Sequence, residues 1–243
     1  MTETVERTAT GAILYDRSVI NQISGARFTP DGWPHVDRVR GEMGSAGRGN
    51  TLFVGNKPRQ FVLRHYRRGG VPGKLIRDQY FFTGEDDTRP FREWRMLEKM
   101  VEFGLRVPRP AAARYVRRGP FYTADIITLR IPGVRPLSSV IAERPRDEAY
   151  WHSVGAQIQE FHTAGVYHAD MNAHNLQLDA KDRLWMLDFD RGRLRAPGPW
   201  QQQTLRRLHR SLRKLRAMNP ALYFGRDEWD ALLAGYFSAS RSA

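Results

Sequence analysis

The chain has 243 residues, of which 27% are charged and none is cysteine, and its formal net charge is +13. That length suits one large domain or two small lobes with a real core, while the lack of cysteine excludes disulfides and thiolate zinc sites and favours a reducing compartment. No run approaches the roughly 18 apolar residues needed to span a bilayer, and the first residues, MTETVERTATG, lack the basic and apolar regions of a signal peptide, so a soluble or peripheral protein is expected. The excess of cations predicts attraction to a polyanion, for which nucleic acid, an anionic membrane face and a phosphorylated substrate all qualify.

No internal repeat or low-complexity tract interrupts the chain. The role of the first 35 or so residues stays open. TLFV (51–54) and QFVLRHY (60–66) are short β-branched and aromatic runs joined by GNKPR, which predicts a hairpin. A helix follows through RPFREWRMLEKMVEF, where Phe91, Trp94, Leu97 and Val101 recur at helical spacing, Pro90 stands near the start and Gly104 follows the end. AAARYVRR and FYTADIITLRI, joined by RGP, are two more strand candidates. Four or five strands and one helix are expected in residues 1–131.

The character changes after PGV (132–134). DEAYWHSVGAQIQEFHTAG starts acidic, keeps helical period through Trp151, Val154, Ile158 and Phe161, and stops at Gly165. Two very short strands, LQL and LWML, bracket the turn DAKDR. Two helices close the chain, QQQTLRRLHRSLRKLRAM and DEWDALLAGYF. A strand-rich front and a helix-rich back predict an α+β protein of two lobes, 1–131 and 132–243.

The stretch YHADMNAHNLQLDAKDRLWMLDFD (167–190) gathers polar groups between apolar runs. A loop after the long helix presents His168, Asp170 and Asn175, and the hairpin returns Asp188 to the neighbourhood of Asn175. Asn175 and Asp188 offer oxygen donors suited to Mg²⁺, which water and nucleotide phosphates usually complete. Asp170 stays available to accept a proton from a substrate hydroxyl. His-x-Asp, Asn five positions after the Asp and a later metal-binding Asp are the order of the protein-kinase catalytic loop. An acidic turn with a helix-capping aspartate is the plainer alternative.

The front half holds matching partners. GSAGRGNTLFV (44–54) is a glycine-rich loop leading into a strand, able to bring backbone N–H groups near phosphate oxygens, or simply a flexible loop. Arg64 stands where a kinase carries its phosphate-pairing lysine, and Glu93 on the next helix is the residue to hold it. Arginine is not an interchangeable lysine, but its fork can serve carboxylate and phosphate together; the alternative is a surface arginine on an edge strand. Asp190 replaces the glycine of Asp-Phe-Gly and is a candidate for an extra metal or outer carboxylate. Only RGRLRAPGPW (191–200) precedes the next helix, too little for an activation segment that would support a peptide substrate.

From Gly44 to Leu215, LRHYRRGGVPGKLIRDQYFFTGEDDTRPFREWRML, YHADMNAHNLQLD and LWMLDFDRG resemble the bacterial 3-deoxy-D-manno-octulosonic acid (Kdo) kinases of lipopolysaccharide core synthesis. The resemblance implies a protein-kinase-like fold and ATP-dependent phosphorylation of the 4-hydroxyl of Kdo on a lipid A precursor, at the cytoplasmic face of the inner membrane. It also implies that Asp170 is the catalytic base, that Asn175 and Asp188 hold Mg²⁺, that Gly44, Gly47 and Gly49 lie on the nucleotide loop, and that His168 braces the catalytic loop. Zinc binding by His168 with His162 and His174 is the alternative for that histidine, without zinc-like spacing to support it.

Arg64, Arg67, Arg68 and Lys74 would then suit a phosphorylated glycolipid, or form a solvated basic loop. Leu205, Leu208, Leu212 and Leu215 line one face of a helix whose other faces carry Arg206, Arg207, Arg210, Arg213 and Lys214. That leucine stripe belongs to the core or inserts in a membrane, and the arginines would face anionic lipid in either case. A Kdo-bearing lipid A precursor and an anionic membrane surface are the expected partners, and nucleic acid is not. The rival functions are a heptose or aminoglycoside kinase and a non-catalytic kinase-like scaffold that binds anions.

Overall fold

The computed structural model describes residues 2–38, 51–67 and 78–240. The chain divides into two compact units, Met1–Lys99 with Pro108–Ile131 and Met100–Val107 with Pro132–Ala243.

The first unit is built on an antiparallel sheet. Its strands are β1 (Glu3–Thr8), β2 (Gly11–Asp16), β3 (Val36–Arg38), β4 (Thr51–Val54), β5 (Phe61–His65), β6 (Tyr80–Phe81), β7 (Pro110–Arg118) and β8 (Phe121–Leu129). They run in the order β1-β2-β7-β8-β5-β4-β3, with β6 pairing the start of β8. β7 and β8 lie inside the sheet, and consecutive buried residues, 110–113 in β7 and 124–127 in β8, mark the stretch where both faces are covered. Gly119, at φ 59°, makes the two-residue turn between them. Ile13, Tyr15, Val54, Phe61, Leu63, Ala112 and Ile127 bury together with Val19, Ile23 and Phe28 from the segment after β2. Helix α1 (Arg89–Glu102) buries Phe91, Trp94 and Leu97, the stripe its spacing predicted, and Phe91 meets Tyr115 of β7 edge to face.

This sheet has more strands than the four or five expected. The first 16 residues supply β1 and β2, which extend the sheet past β7. β1 is largely exposed and rich in charge, so its sequence carries no apolar alternation by which to find it. β3 and β6 span only three and two residues.

The second unit is mainly helical. α2 (Leu137–Glu143), α3 (Glu148–Thr163), α4 (Trp200–Met218) and α5 (Arg226–Ser240) accompany five very short strands in a two-stranded and a three-stranded sheet. β11 (Leu176–Leu178) and β12 (Leu184–Met186) form the predicted hairpin, β9 (Arg135–Pro136) pairs with β11, and β10 (Val166–Tyr167) pairs with β13 (Arg193–Leu194). Asp147 caps α3 by accepting the Tyr150 N–H at 2.9 Å, and Gly165 ends it at φ 76°. α3 and α5 pack backbone against backbone: a methyl group on Gly155 would fall 1.9 Å from the Leu232 carbonyl oxygen, and one on Gly235 1.9 Å from that of His152. α2 has no counterpart among the elements read from the sequence, since seven residues between Pro136 and Pro145 carry too little periodicity. The α+β class, strands in front and helices behind, is the one the sequence predicted. Among the described residues no helix is long and apolar enough to cross a membrane.

Candidate active site

The loop after α3 and β10 is held almost entirely through backbone. His168 is buried, and its two ring nitrogens have opposite tasks. Nε2 donates to the Leu187 carbonyl at 2.8 Å, while Nδ1 accepts the Asp170 N–H at 3.1 Å. Only the neutral ring does both. Burial pushes the His168 pKa down, partly offset by the Leu187 carbonyl and the charges of Asp188 and Asp170, which favours that neutral form. One imidazole therefore ties the Asp170 peptide to the strand end that leads into Asp188.

Two amides complete the loop. Asn175 Nδ2 donates to the Asp170 carbonyl at 2.9 Å, and Asn172 Nδ2 donates to the same oxygen at 3.0 Å. Asn172 Oδ1 accepts from His174 N and Asn175 N, forming an Asx-type turn. These bonds fix the Asp170 main chain and leave its carboxylate exposed, with Arg207 of α4 beside it, Nη1 to Oδ1 3.7 Å.

The hairpin brings Asn175 and Asp188 together as expected. Leu176 pairs with Met186, and Leu187 N donates to the Asn175 carbonyl at 2.9 Å, so Asp188 follows directly on the residue bonded to Asn175. Asp188 adopts φ 64°, left-handed backbone that aspartate tolerates better than most side chains. Phe189 is buried against the His168 ring at a centroid distance of 5.0 Å. Gln157 of α3 steadies the hairpin, its Oε1 accepting Leu184 N at 2.7 Å and an Arg106 N–H at 3.0 Å.

With Nδ2 of Asn175 engaged by the Asp170 carbonyl, Oδ1 is the donor it has left to offer, and Asp188 adds a carboxylate. This all-oxygen set fits a hard divalent cation. Among the described residues no three histidine or acidic side chains converge as a ready-made metal cage, so such an ion would draw its remaining ligands from water and phosphate.

In the first unit, Arg64 of β5 donates to Glu93 Oε1 of α1 at 2.5 Å, and the Tyr66 hydroxyl donates to Oε2 at 2.5 Å. The Arg64 guanidinium also lies over the Tyr66 ring, 4.7 Å from its centroid. Glu93 is 4% exposed and Arg64 19%. Arg64 is therefore an inward-facing member of a buried ion pair rather than a surface arginine on an edge strand.

Gly44, Gly47, Gly49, Arg68 and Lys74 lie outside the described residues. His162 and His174 do not join His168 as zinc ligands. His162 is buried between Tyr236 Oη, 2.8 Å from Nδ1, and Thr204 Oγ1, 3.1 Å from Nε2, and burial lowers its pKa to about 4. His174 Nδ1 meets the Ser138 hydroxyl at 3.0 Å. The leucine stripe of α4 turns Leu205, Leu208 and Leu212 into the core and leaves Arg206, Arg207, Arg210, Arg213 and Lys214 exposed. Sequence reading did not single out Tyr66, Asn172, Gln157 or the pairing of Arg207 with Asp170. Only Asn172 had a local signal, as an amide in a loop rich in turn formers.

A braced loop with an exposed carboxylate, beside an amide and a second carboxylate on a hairpin, is the equipment of a phosphotransferase. Residues 35–236 match the model of the lipopolysaccharide kinase (Kdo/WaaP) family, and the chain belongs to that family of enzymes, the one its motifs resembled. It is 41% identical over 208 residues to a 3-deoxy-D-manno-octulosonic acid kinase of Vibrio parahaemolyticus, covering 86% of this chain and 87% of the relative. It is 44% identical over 209 residues to one of Stenotrophomonas maltophilia, covering 85% and 82%. Among solved structures the bifunctional kinase-methyltransferase WbdD is a distant likeness, 16% identical with a TM-score of 0.44, covering 86% of this chain and 47% of that one. This chain thus spans about half of the longer protein.

Proposed function

We propose that the protein is a Kdo kinase, transferring the γ-phosphoryl group of ATP to the 4-hydroxyl of Kdo on a lipid A precursor at the cytoplasmic face of the bacterial inner membrane. The observation that carries this reading is the exposed Asp170 carboxylate, set on a main chain that His168, Asn172 and Asn175 hold in place. The names of the relatives support the choice of acceptor.

In this reading Asp170 is the base. It orients the acceptor hydroxyl and accepts its proton as the new O–P bond forms. His168 braces the loop by holding its ring neutral between Leu187 and Asp170. Asn175 and Asp188 would hold Mg²⁺, with Asp190 as a further carboxylate. When bound, that ion offsets charge on the phosphate oxygens. Arg64 offers its guanidinium to the nucleotide phosphates while Glu93 and Tyr66 fix its direction, and Gly44, Gly47 and Gly49 would admit phosphate close to backbone N–H groups. Residues 1–131 and 132–243 serve as a strand-rich nucleotide lobe and a helical catalytic lobe. Arg206, Arg210, Arg213 and Lys214 on α4 would attract an anionic membrane face.

The experiment is mass spectrometry of a Kdo-lipid A precursor after incubation with the protein, ATP and Mg²⁺. A gain of one phosphate that fragments with Kdo, placed at O4 by NMR, is the expected result. An unmodified precursor together with a phosphorylated heptose or aminoglycoside would replace the acceptor, and Mg·ATP binding without transfer to any sugar would make the protein a scaffold.

A further inference from the structure

We propose that Arg207 is a specificity-determining residue that binds the carboxylate of the acceptor sugar beside Asp170; this inference rests on the Kdo kinase reading above.

The placement of α4 against the loop carries it. Ala173 N donates to Ser211 Oγ of α4 at 3.3 Å. Arg207 stands one turn before Ser211 on the same helix face, which sets its Nη1 3.7 Å from Asp170 Oδ1. At that distance the contact is an ion pair and not a hydrogen bond. Both side chains are exposed, 46% for Arg207 and 67% for Asp170, so the pair adds little to stability. Among the described residues nothing else occupies the Arg207 fork.

Kdo is a sugar acid. Its carboxylate is attached at C2 and its 4-hydroxyl at C4, in a 1,3 relation on one ring, so the two groups can meet two adjacent protein side chains at once. The planar fork of Arg207 suits a carboxylate through paired hydrogen bonds, while Asp170 takes the hydroxyl. Without Arg207 the acceptor carboxylate would meet the Asp170 carboxylate without the cation that stands beside it. A neutral sugar offers Arg207 hydroxyl acceptors without charge, so the same pair favours acids. In the step itself, the acceptor O4 bonds to the γ-phosphorus as the bond to the β,γ-bridging oxygen breaks; ADP leaves, and the O4 proton passes to Asp170.

The test is steady-state kinetics of the full-length protein with a Kdo-bearing acceptor and its carboxamide analogue, using wild type, Arg207→Ala and Arg207→Lys. Wild type should favour the acid over the amide by about 10- to 100-fold in kcat/KM, the range for a charge-assisted contact. Arg207→Ala should raise the acceptor KM, leave the KM for ATP unchanged and bring the acid-to-amide ratio close to one. Arg207→Lys should retain part of the preference as a point charge. An Arg207→Ala enzyme that still prefers the acid overturns the assignment, as does a fall in kcat that is equal for both acceptors with KM unaltered. A wild-type enzyme that phosphorylates neither acceptor refutes the Kdo kinase reading itself.

Discussion

The Arg64–Glu93 clamp of the first unit and the His168–Asn175 loop of the second solve opposite problems with opposite materials. In the clamp, a buried carboxylate is met by a partly buried guanidinium and a hydroxyl through side chains, with Tyr66 and Arg64 both on Glu93. In the loop the holding groups are neutral, and they act through main chain: one imidazole and two amides fix the Asp170 peptide while its carboxylate stays exposed. A buried charge needs a charged partner and gains a fixed direction from it. The Asp170 carboxylate, exposed and 3.7 Å from Arg207, lies outside the hydrogen bonds that hold its loop. The clamp is therefore inseparable from its side chains, whereas the Asp170 carboxylate is separable from its scaffold.

The largest effect should come from the exposed side of this contrast. Asp170→Asn should lower turnover by about 10²- to 10⁴-fold, the usual worth of a general base, with unchanged affinity for Mg·ATP and an unchanged melting temperature. Single-turnover rates, calorimetry and thermal melts read all three, and a large loss of stability would place Asp170 on the structural side. Glu93→Ala should do what Asp170→Asn does not. It removes the carboxylate that Arg64 and the Tyr66 hydroxyl share and should cost about 3 kcal/mol in urea unfolding, while Glu93→Gln, which can still accept from both, should cost less.

His168→Ala leaves the Asp170 N–H and the Leu187 carbonyl without their shared partner, and a loss of about 2 kcal/mol is expected, together with slower turnover because the Asp170 main chain loosens. Equal stability with slower turnover would limit the imidazole to the chemistry alone.

The smallest effect concerns two histidines that the units treat differently. The His162 pKa is lowered to about 4 by burial. An unfolded histidine titrates near 6.5, so below that pH the unfolded state binds the proton first, and stability falls as pH drops from about 6.5 towards 4. Between pH 7 and 5.5 this amounts to about 1 kcal/mol, which His162→Asn should abolish. His65 has the opposite sign. Its pKa is raised, chiefly by the hydrogen bond to Asp125 at 2.7 Å, so its contribution is fully present below about 6.5 and is lost as pH rises through the higher folded value. The stability gap between wild type and His65→Asn should accordingly be widest in acid and close towards alkaline pH. Melts of both variants across pH 5.5 to 9 check the pair.

Much of the site was legible because it is local. His168, Asp170 and Asn175 fall within eight residues, and the hairpin that returns Asp188 is announced by LQL, DAKDR and LWML. The helix that holds Glu93 shows its buried face in Phe91, Trp94 and Leu97. What stayed illegible is long-range. Tyr66 and Arg207 sit in segments crowded with aromatic and basic residues, and no spacing along the chain says which tyrosine meets Glu93 or which arginine meets Asp170. Gln157 reads as an ordinary polar residue on a helix until Leu184 is set against it.

By itself the sequence determined the longer helices, the hairpin strands of both halves, the α+β class and the polar set of one loop, since apolar period, caps and short spacings act between near neighbours. Only the tertiary structure decided that residues 3–16 extend the sheet beyond β7, that Gly155 and Gly235 mark a backbone contact between α3 and α5, and that Arg207 stands beside Asp170. The physical reason is the same in each case: such contacts join residues far apart in the chain, and their partners are selected by packing, of which a linear pattern keeps no record.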